Sequence, residues 1–337
     1  MTPLPLRPLG TSGLEMTTVG FGSWAVGGGG WSFGWGPQDD ERSVQAIARA
    51  AELGINWIDT AAIYGLGHGE EVVGRAVRRL PAGSRPLVFT KCGLDWDDED
   101  RMKPARRVVT PASVRRGAEE SLRRLGLDRV DLFQIHWPDD QGNPIESAWR
   151  EMLKLRDEGL ARAVGVSNFG VGLLERCEAL GHVDSLQPPF NLSSRETAED
   201  LLPWADEHGT GVICYSPMKN GILTDSFTAE RVARMAEDDW RKSAPNFREP
   251  ALGRNLSLRD ALRPIAERHG ATVASVAVAW TLAWPGVTAA IVGARAPEQV
   301  DGWIGAASLK LTAADLDEIA AAVRETGAGS GPADPRG

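Results

Sequence analysis

The sequence has little cysteine and no long hydrophobic run. Its 337 residues include three cysteines, Cys92, Cys177 and Cys214, which are widely spaced and form neither a disulfide framework nor a CxxC metal-binding pair. Such sparse cysteine is typical of a protein in the reducing cytosol. The most apolar stretch, residues 271–284, is shorter than the roughly 20 residues that span a bilayer, and the amino-terminal residues contain no apolar secretory segment. We therefore expect a cytoplasmic protein with no membrane association.

Basic charge and paired histidines are also scarce. Lys and Arg total 37 against 46 Asp and Glu, which gives a formal net charge of −9 at pH 7. Because an acidic chain is repelled by phosphate backbones and anionic lipids, we expect no nucleic-acid or membrane-surface partner. The five histidines show no two-His spacing of the kind that binds zinc, so the sequence predicts no metal site. The oligomeric state stays open.

Short strand-like apolar runs alternate with segments of helical periodicity along the chain. Strands separated by helices require parallel pairing with right-handed crossovers. A doubly wound sheet would satisfy this pattern, but no linker or change of composition divides residues 1–325. We therefore predict an α/β fold, a single (β/α)8 TIM barrel with an N-terminal β-hairpin and extra C-terminal helices. The eight strand-like runs are residues 18–22, 55–59, 87–92, 130–137, 162–166, 184–188, 212–215 and 288–292.

Three further segments have distinct expected structures. Residues 7–17 predict a hairpin at the bottom of the barrel, turning at Gly10-Thr-Ser-Gly13. Residues 216–256 form the one long insertion, and its length suggests a lid or ligand loop. The glycine-rich residues 326–337 predict a disordered tail.

Four side chains of catalytic type occur where predicted strands end or just beyond. Asp59 ends the second strand, Tyr64 lies in the loop that follows, and Lys91 and His136 end the third and fourth strands. Each alone is compatible with a structural role: a helix cap, a loop anchor, an ion pair or a core histidine. Because neighbouring strands of a barrel open on the same face, the four together predict one active site.

This set is suited to donating a proton to a carbonyl oxygen. A free phenol has a pKa of about 10 and is a weak acid at neutral pH. We expect the Lys91 ammonium to lower the pKa of Tyr64 and Asp59 to keep Lys91 charged. His136 would hold the substrate oxygen or help to relay the proton. The set contains no nucleophile, so the other reactant, a hydride, must come from a cofactor.

Short motifs in a fixed order extend this interpretation across the chain. They are GINWIDTAAIYG at 54–65, FTK at 89–91, LFQIHW at 132–137, GVSNF at 165–169, Gln187, YSP at 215–217 and IVGAR at 291–295. In this order they resemble the aldo-keto reductase superfamily over about residues 7–320. The resemblance implies an NADP(H)-dependent oxidoreductase that reduces aldehyde or ketone carbonyls to alcohols, with a catalytic tetrad of Asp59, Tyr64, Lys91 and His136.

The resemblance also implies the cofactor contacts. Arg295 would pair with the adenosine 2′-phosphate, which favours NADP over NAD. The chain departs from the family pattern at Gly302-Trp303, where relatives carry a Glu-Asn pair that binds adenine. Trp303 would either stack on the adenine or pack on the barrel. The residues implied at the nicotinamide end are Ser23, Trp24, Asp59, Ser167, Asn168, Gln187 and Tyr215. Those implied at the pyrophosphate are Ser216, Pro217, Met218, Lys219 and Asn220. A phosphate would also bind at the start of the last barrel helix, which carries Gly293, Arg295 and Gln299.

A glycine- and tryptophan-rich stretch, residues 27–36, has two interpretations. Residues 20–25 fit the Rossmann Gly-x-Gly-x-x-Ala pattern, but no helix follows, so that interpretation is rejected. The stretch is either a packed surface loop or a wall of the substrate pocket. Candidate wall residues are Trp24, Trp31, Phe33, Trp35 and Trp137.

Two other functions compete with carbonyl reduction. A non-catalytic NADP-binding subunit or redox sensor is one, although it would not need the complete proton-transfer set. A Schiff-base lyase that uses Lys91 is the other, although a neighbouring Asp59 would keep that amine protonated and weakly nucleophilic.

Overall fold

The structure is a computed structural model that describes residues 3–81 and 83–337. Eight parallel strands close into a barrel, which confirms the predicted fold. The strands are β1 (Leu6–Pro8), β2 (Glu15–Thr17), β3 (Val19–Gly22), β4 (Trp57–Asp59), β5 (Leu87–Cys92), β6 (Leu94–Asp95), β7 (Arg106–Arg107), β8 (Val130–Ile135), β9 (Ala161–Ser167), β10 (Ser185–Gln187), β11 (Gly211–Cys214) and β12 (Val287–Gly293). The ring runs β3-β4-β5-β8-β9-β10-β11-β12 and closes on β3, while β1-β2 and β6-β7 form separate antiparallel pairs.

Helices connect and surround the strands. They are α1 (Asp40–Glu52), α2 (His68–Arg79), α3 (Pro111–Leu125), α4 (Ile145–Asp157), α5 (Val171–Glu178), α6 (Leu201–His208), α7 (Ala229–Ala233), α8 (Ala251–Ala261), α9 (Arg263–Arg268), α10 (Val273–Leu282), α11 (Pro297–Asp301) and α12 (Ala313–Thr326). Local chemistry sets their ends. In α3, for example, Thr110 and Ser113 form a capping box, and Gly126 takes the left-handed conformation that ends the helix. No helix of the described residues is long and apolar enough to cross a membrane.

The N-terminal hairpin closes the bottom of the barrel. Its Leu9, Leu14 and Met16 are buried and pack with inward-facing strand residues such as Trp57 and Phe89. Burying each aliphatic side chain contributes about 1.5–3 kcal/mol, so the hairpin is part of the core. These side chains fill the lower end of the barrel.

The long insertion forms a small unit beside the upper end. Ile222, Phe227, Phe247 and Leu252 make its own apolar core. Its backbone meets the glycine-rich loop: the Trp240 N–H donates to the Gly34 carbonyl at 3.0 Å. The two loops are therefore joined across the upper end of the barrel.

The C-terminal segment differs from the predicted disordered tail. Ala328 is buried, and the Arg195 guanidinium donates to the Ala328 carbonyl at 2.8 Å and to the Gly331 carbonyl at 3.1 Å. Composition predicts disorder because glycine offers little apolar surface. Here the backbone carbonyls of the segment satisfy a buried guanidinium instead, which holds it on the barrel.

Candidate active site

A cavity of about 910 Å³ occupies the carboxyl ends of the strands. Its wall contains residues that end β3, β4, β9 and β10 together with parts of the glycine-rich loop and the long insertion. Three of the four predicted catalytic residues, Asp59, Tyr64 and His136, line it directly. The convergence follows from the parallel barrel, in which every strand ends on this face.

Asp59 and Lys91 form a buried ion pair beneath the cavity. The Lys91 ammonium lies 2.6 Å from the Asp59 carboxylate and donates to the Thr60 carbonyl at 2.9 Å. The other Asp59 oxygen accepts from the Gln187 amide at 2.9 Å. Burial raises the pKa of Asp59 and lowers the pKa of Lys91, and in each case the partner's charge acts in the opposite direction. Thr60 and Gln187 therefore hold the two members of the pair in place.

Tyr64 is positioned by a close backbone contact and by neighbouring rings. A Cβ atom at Gly27 would lie 2.5 Å from the Gly65 nitrogen. The first residue of the glycine-rich stretch therefore packs directly on the turn that carries Tyr64. The Lys91 ammonium lies 5.3 Å from the centre of the Tyr64 ring. The His136 ring stands edge-on at 5.8 Å and the Trp24 ring stacks at 6.3 Å.

The pKa of Tyr64 shifts in the opposite direction from the one that the sequence predicts. Burial, followed by the charge of Asp59 and the neighbouring Tyr215, raises the pKa of Tyr64 well above its usual value. The net shift is therefore opposite to the one expected from Lys91, because burial is the largest influence on this pKa. Burial and the charge of Lys91 hold the pKa of His136 well below its usual value, so its imidazole is neutral. The site thus presents a protonated phenol beside a neutral imidazole.

The ends of β9, β10 and β11 carry a polar network. Ser167 Oγ donates to the Gln187 carbonyl at 2.8 Å, and the Tyr215 hydroxyl donates to Asn168 Oδ1 at 2.7 Å. The Asn168 amide donates to the His136 carbonyl at 2.9 Å, with Asn168 itself in the left-handed region at φ 63°. All five residues line the cavity, and the nicotinamide contacts that the resemblance implies for Ser167, Asn168, Gln187 and Tyr215 stay a prediction.

The predicted pyrophosphate residues of the loop after β11 differ in whether they line the cavity. Ser216, Pro217, Met218 and Asn220 line the cavity, but Lys219 does not. The Lys219 ammonium instead donates to Ser194 Oγ at 2.7 Å, and burial lowers its pKa to about 8. In this structure the Lys219 ammonium therefore lies on Ser194 and outside the cavity wall, and not at the predicted pyrophosphate position.

Arg295 lines the cavity but already has acceptors. Its Nε donates to Gln38 Oε1 at 2.6 Å, and its terminal nitrogens donate to the Trp35 and Pro37 carbonyls. Gly293 and Gln299 also line the cavity. The predicted helix opening is the short α11, whose single turn begins at Pro297. Phosphate binding by a helix terminus therefore has no support here.

The predicted aromatic residues line the cavity, and Trp24 also packs on a tryptophan from the long insertion. Trp24 stacks on Trp240 at 5.1 Å and meets Trp35 edge-on at 5.3 Å. Trp31 is buried beside Ala61 and Ile63, with only part of it facing the cavity. Trp303 is buried in the core and also lines the cavity, a position compatible with both predicted roles, packing on the barrel and stacking on adenine.

Sequence reasoning missed several residues of the site, among them one tryptophan that packs on its wall and three arginines that line it. Trp240 packs directly against Trp24, and three arginines line the cavity. The arginines are Arg107, Arg231 and Arg241. Arg107 lies in the short strand β7, Arg231 in the short helix α7, and Trp240 and Arg241 elsewhere in the long insertion. Elements this short show no periodicity, so their only sequence signal is membership of segments long enough to cover the barrel.

A dinucleotide cofactor fits these residues. Ser23 Oγ faces the cavity wall, is buried and has no hydrogen-bond partner among the described residues, which leaves a donor for a bound group. Burial lowers the pKa of Arg295, and the nearby charges of Arg241 and Arg231 lower it further. Among the charged groups of the described residues that act on Arg295, Asp239 is the acidic one, so the excess positive charge suits a phosphate-bearing molecule.

Comparison with known proteins finds this architecture elsewhere. A model described as the aldo/keto reductase family matches residues 18–324. An aldo-keto reductase of Bacillus subtilis, YhdN, is 34% identical over 312 residues, covering 92% of this chain and 91% of that protein. The NADH-specific methylglyoxal reductase of Escherichia coli is 30% identical over 316 residues, covering 91% of this chain and 95% of that protein. The solved structure of glycerol dehydrogenase AKR11B4 from Gluconobacter oxydans superposes with a TM-score of 0.85 at 36% identity, covering 97% of each chain.

Proposed function

Because the chain belongs to the aldo/keto reductase family, we propose that it reduces aldehyde or ketone carbonyls to alcohols with NADP(H), using Tyr64 as the acid. The observation that carries the proposal is the placement of a protonated phenol at the cavity, between a neutral imidazole and a buried ammonium. A bound reduced nicotinamide supplies the hydride that no side chain can provide.

Each residue of the tetrad has a separate task. Tyr64 donates its proton to the carbonyl oxygen as negative charge develops there. Lys91, 5.3 Å from the ring centre, stabilises the phenolate that remains, and Asp59 holds Lys91 in that position. His136 is neutral and therefore orients the carbonyl oxygen by hydrogen bonding without competing as an acid.

The preference for NADP(H) rests on the arginine cluster. A 2′-phosphate adds charge that NAD(H) lacks, and Arg231, Arg241 and Arg295 together exceed the single negative charge of Asp239. A phosphate would replace the neutral carbonyl acceptors of Arg295, because hydrogen bonds to a charged acceptor are roughly twice as strong.

The decisive experiment compares wild type with Tyr64→Phe. The wild type should oxidise NADPH when given members of an aldehyde panel, and the variant should lose at least about 100-fold in kcat/KM, the usual contribution of a general acid. NADPH binding, followed by fluorescence, should stay within severalfold. A variant that keeps most of its activity would remove Tyr64 from the acid role, and a wild type inactive on the whole panel would overturn the proposal.

A further inference from the structure

Arg107 lies in the wall of the cavity that contains the predicted catalytic histidine. It pairs with Leu94 in the β6-β7 ladder, and the following Val108 N–H donates to the Gly93 carbonyl at 3.0 Å. This places it just beyond the end of β5, the strand that carries Lys91. Its guanidinium carbon lies 4.4 Å from the centre of the Trp137 ring, and Trp137 directly follows His136. Both side chains line the cavity.

The guanidinium of Arg107 has no acidic partner in the described part of the chain. The adjacent Arg106 faces solvent and pairs with Asp95 at 2.6 Å. Asp140 also lines the cavity, but its carboxylate accepts from the Gln141 amide, and only its backbone N–H reaches the Arg107 carbonyl. An uncompensated positive charge therefore stands in the cavity wall of a chain whose net charge is −9.

The stacking on Trp137 determines what this charge can bind. A guanidinium that lies over an indole keeps its N–H groups in its own plane, where they form a fork that matches the two oxygens of a carboxylate. A single arginine neutralises one negative charge, so a carboxylate fits it better than a doubly charged phosphate beside Asp140.

We propose that Arg107 is a specificity-determining residue that binds the carboxylate of a substrate whose aldehyde or ketone group lies at Tyr64 and His136. The inference rests on the proposed function, since it names the substrate class for the same site. It makes aldehyde and keto acids better substrates than their neutral esters, mainly through a lower KM, because Arg107 contacts the substrate far from the reacting carbonyl.

The test compares acids with their methyl esters. Succinic semialdehyde and 4-carboxybenzaldehyde supply two lengths, and each is assayed with its ester at saturating NADPH. The wild type should prefer the acid of at least one pair by about tenfold or more in kcat/KM, as expected for a hydrogen-bonded charge pair. Arg107→Met should abolish that preference while ester reduction stays within about twofold, and Arg107→Lys should retain part of it. Arg106→Met is the matched control and should behave as wild type.

A binding measurement separates this proposal from the proposed function. Calorimetric titration of 4-carboxybenzyl alcohol and its methyl ester into the NADPH-loaded protein reports carboxylate binding without turnover, because the alcohol and the cofactor are both already reduced. If no aldehyde is reduced, the proposed function fails, yet tighter binding of the acid that Arg107→Met removes would still support the Arg107 assignment. An acid preference unchanged in Arg107→Met, or no acid preference in the wild type by either measurement, overturns it.

Discussion

The Nζ atom of Lys91 lies 5.3 Å from the centre of the Tyr64 ring. The ammonium approaches the ring rather than forming a hydrogen bond with the hydroxyl, since its nearest acceptors are the Asp59 carboxylate and the Thr60 carbonyl. Lys91 therefore acts on the phenol through charge and is itself held by the core. This arrangement links the stability of the barrel to its proposed chemistry.

Lys91→Met should strongly destabilise the protein. Removing the ammonium leaves the Asp59 carboxylate buried without its partner, and breaking a buried pair in this way costs about 3–5 kcal/mol. Urea unfolding followed by circular dichroism measures the loss. The double variant Asp59→Asn/Lys91→Met should recover a substantial part of it, and a double variant less stable than Lys91→Met would contradict the pairing argument.

The reduction rate should be insensitive to pH near neutrality. The pKa of Tyr64 is raised well above its usual value and the pKa of His136 is held well below its usual value, so neither group titrates there. The acid loses its proton only at high pH, and activity should fall only then. A kcat/KM profile for reduction, recorded between about pH 6 and 9, should be flat, whereas a break near pH 7 would show that a different group controls the reaction.

Gly27→Ala should lower kcat by displacing the Tyr64 turn. The added methyl group would lie 2.5 Å from the Gly65 nitrogen, so one backbone must move, and misplacing a reacting group by about 1 Å can cost 100-fold. Gly172→Ala is the matched control, because a Cβ there meets nothing within 4 Å. Steady-state kinetics of both variants decides the matter; equal activity in the two would show that the Gly27 contact does not position Tyr64.

Arg295→Met should reduce discrimination between NADPH and NADH. If Arg295 exchanges its carbonyl acceptors for the 2′-phosphate, its loss should weaken NADPH binding by about tenfold or more and leave NADH binding almost unchanged. Fluorescence titration with each cofactor measures the ratio. Gln38→Ala removes an acceptor of Arg295 without changing charge and serves as the control; an identical ratio in wild type and Arg295→Met would exclude Arg295 from phosphate recognition.

Truncation after Gly327 should destabilise the chain rather than leave it unaffected. The Arg195 guanidinium is buried and donates to the Ala328 and Gly331 carbonyls, and losing both acceptors costs about 1–3 kcal/mol. Thermal unfolding of the truncated and full-length proteins tests this expectation. Equal midpoints would show that the segment does not stabilise the fold, as expected for the disordered tail that its composition predicts.

The sequence alone was sufficient for the barrel and for the position of the predicted tetrad. Strand-like runs separated by amphipathic helices allow few topologies, and parallel strands of a barrel must end on one face. Asp59, Lys91 and His136 could therefore be brought together without coordinates, because each lies at or next to a strand end. Capping at Thr110 and Gly126 was equally local and equally predictable.

Only the tertiary structure decided where long side chains point and which charges are compensated. Lys219 turns to Ser194, Arg195 holds the C-terminal segment, and Arg107 lies over Trp137 without an acid. The physical reason is that the direction of a flexible side chain depends on partners distant in sequence, and a pKa depends on burial that only packing creates. The same reason explains why the phenol of Tyr64, expected to be a stronger acid, is instead held protonated by its surroundings.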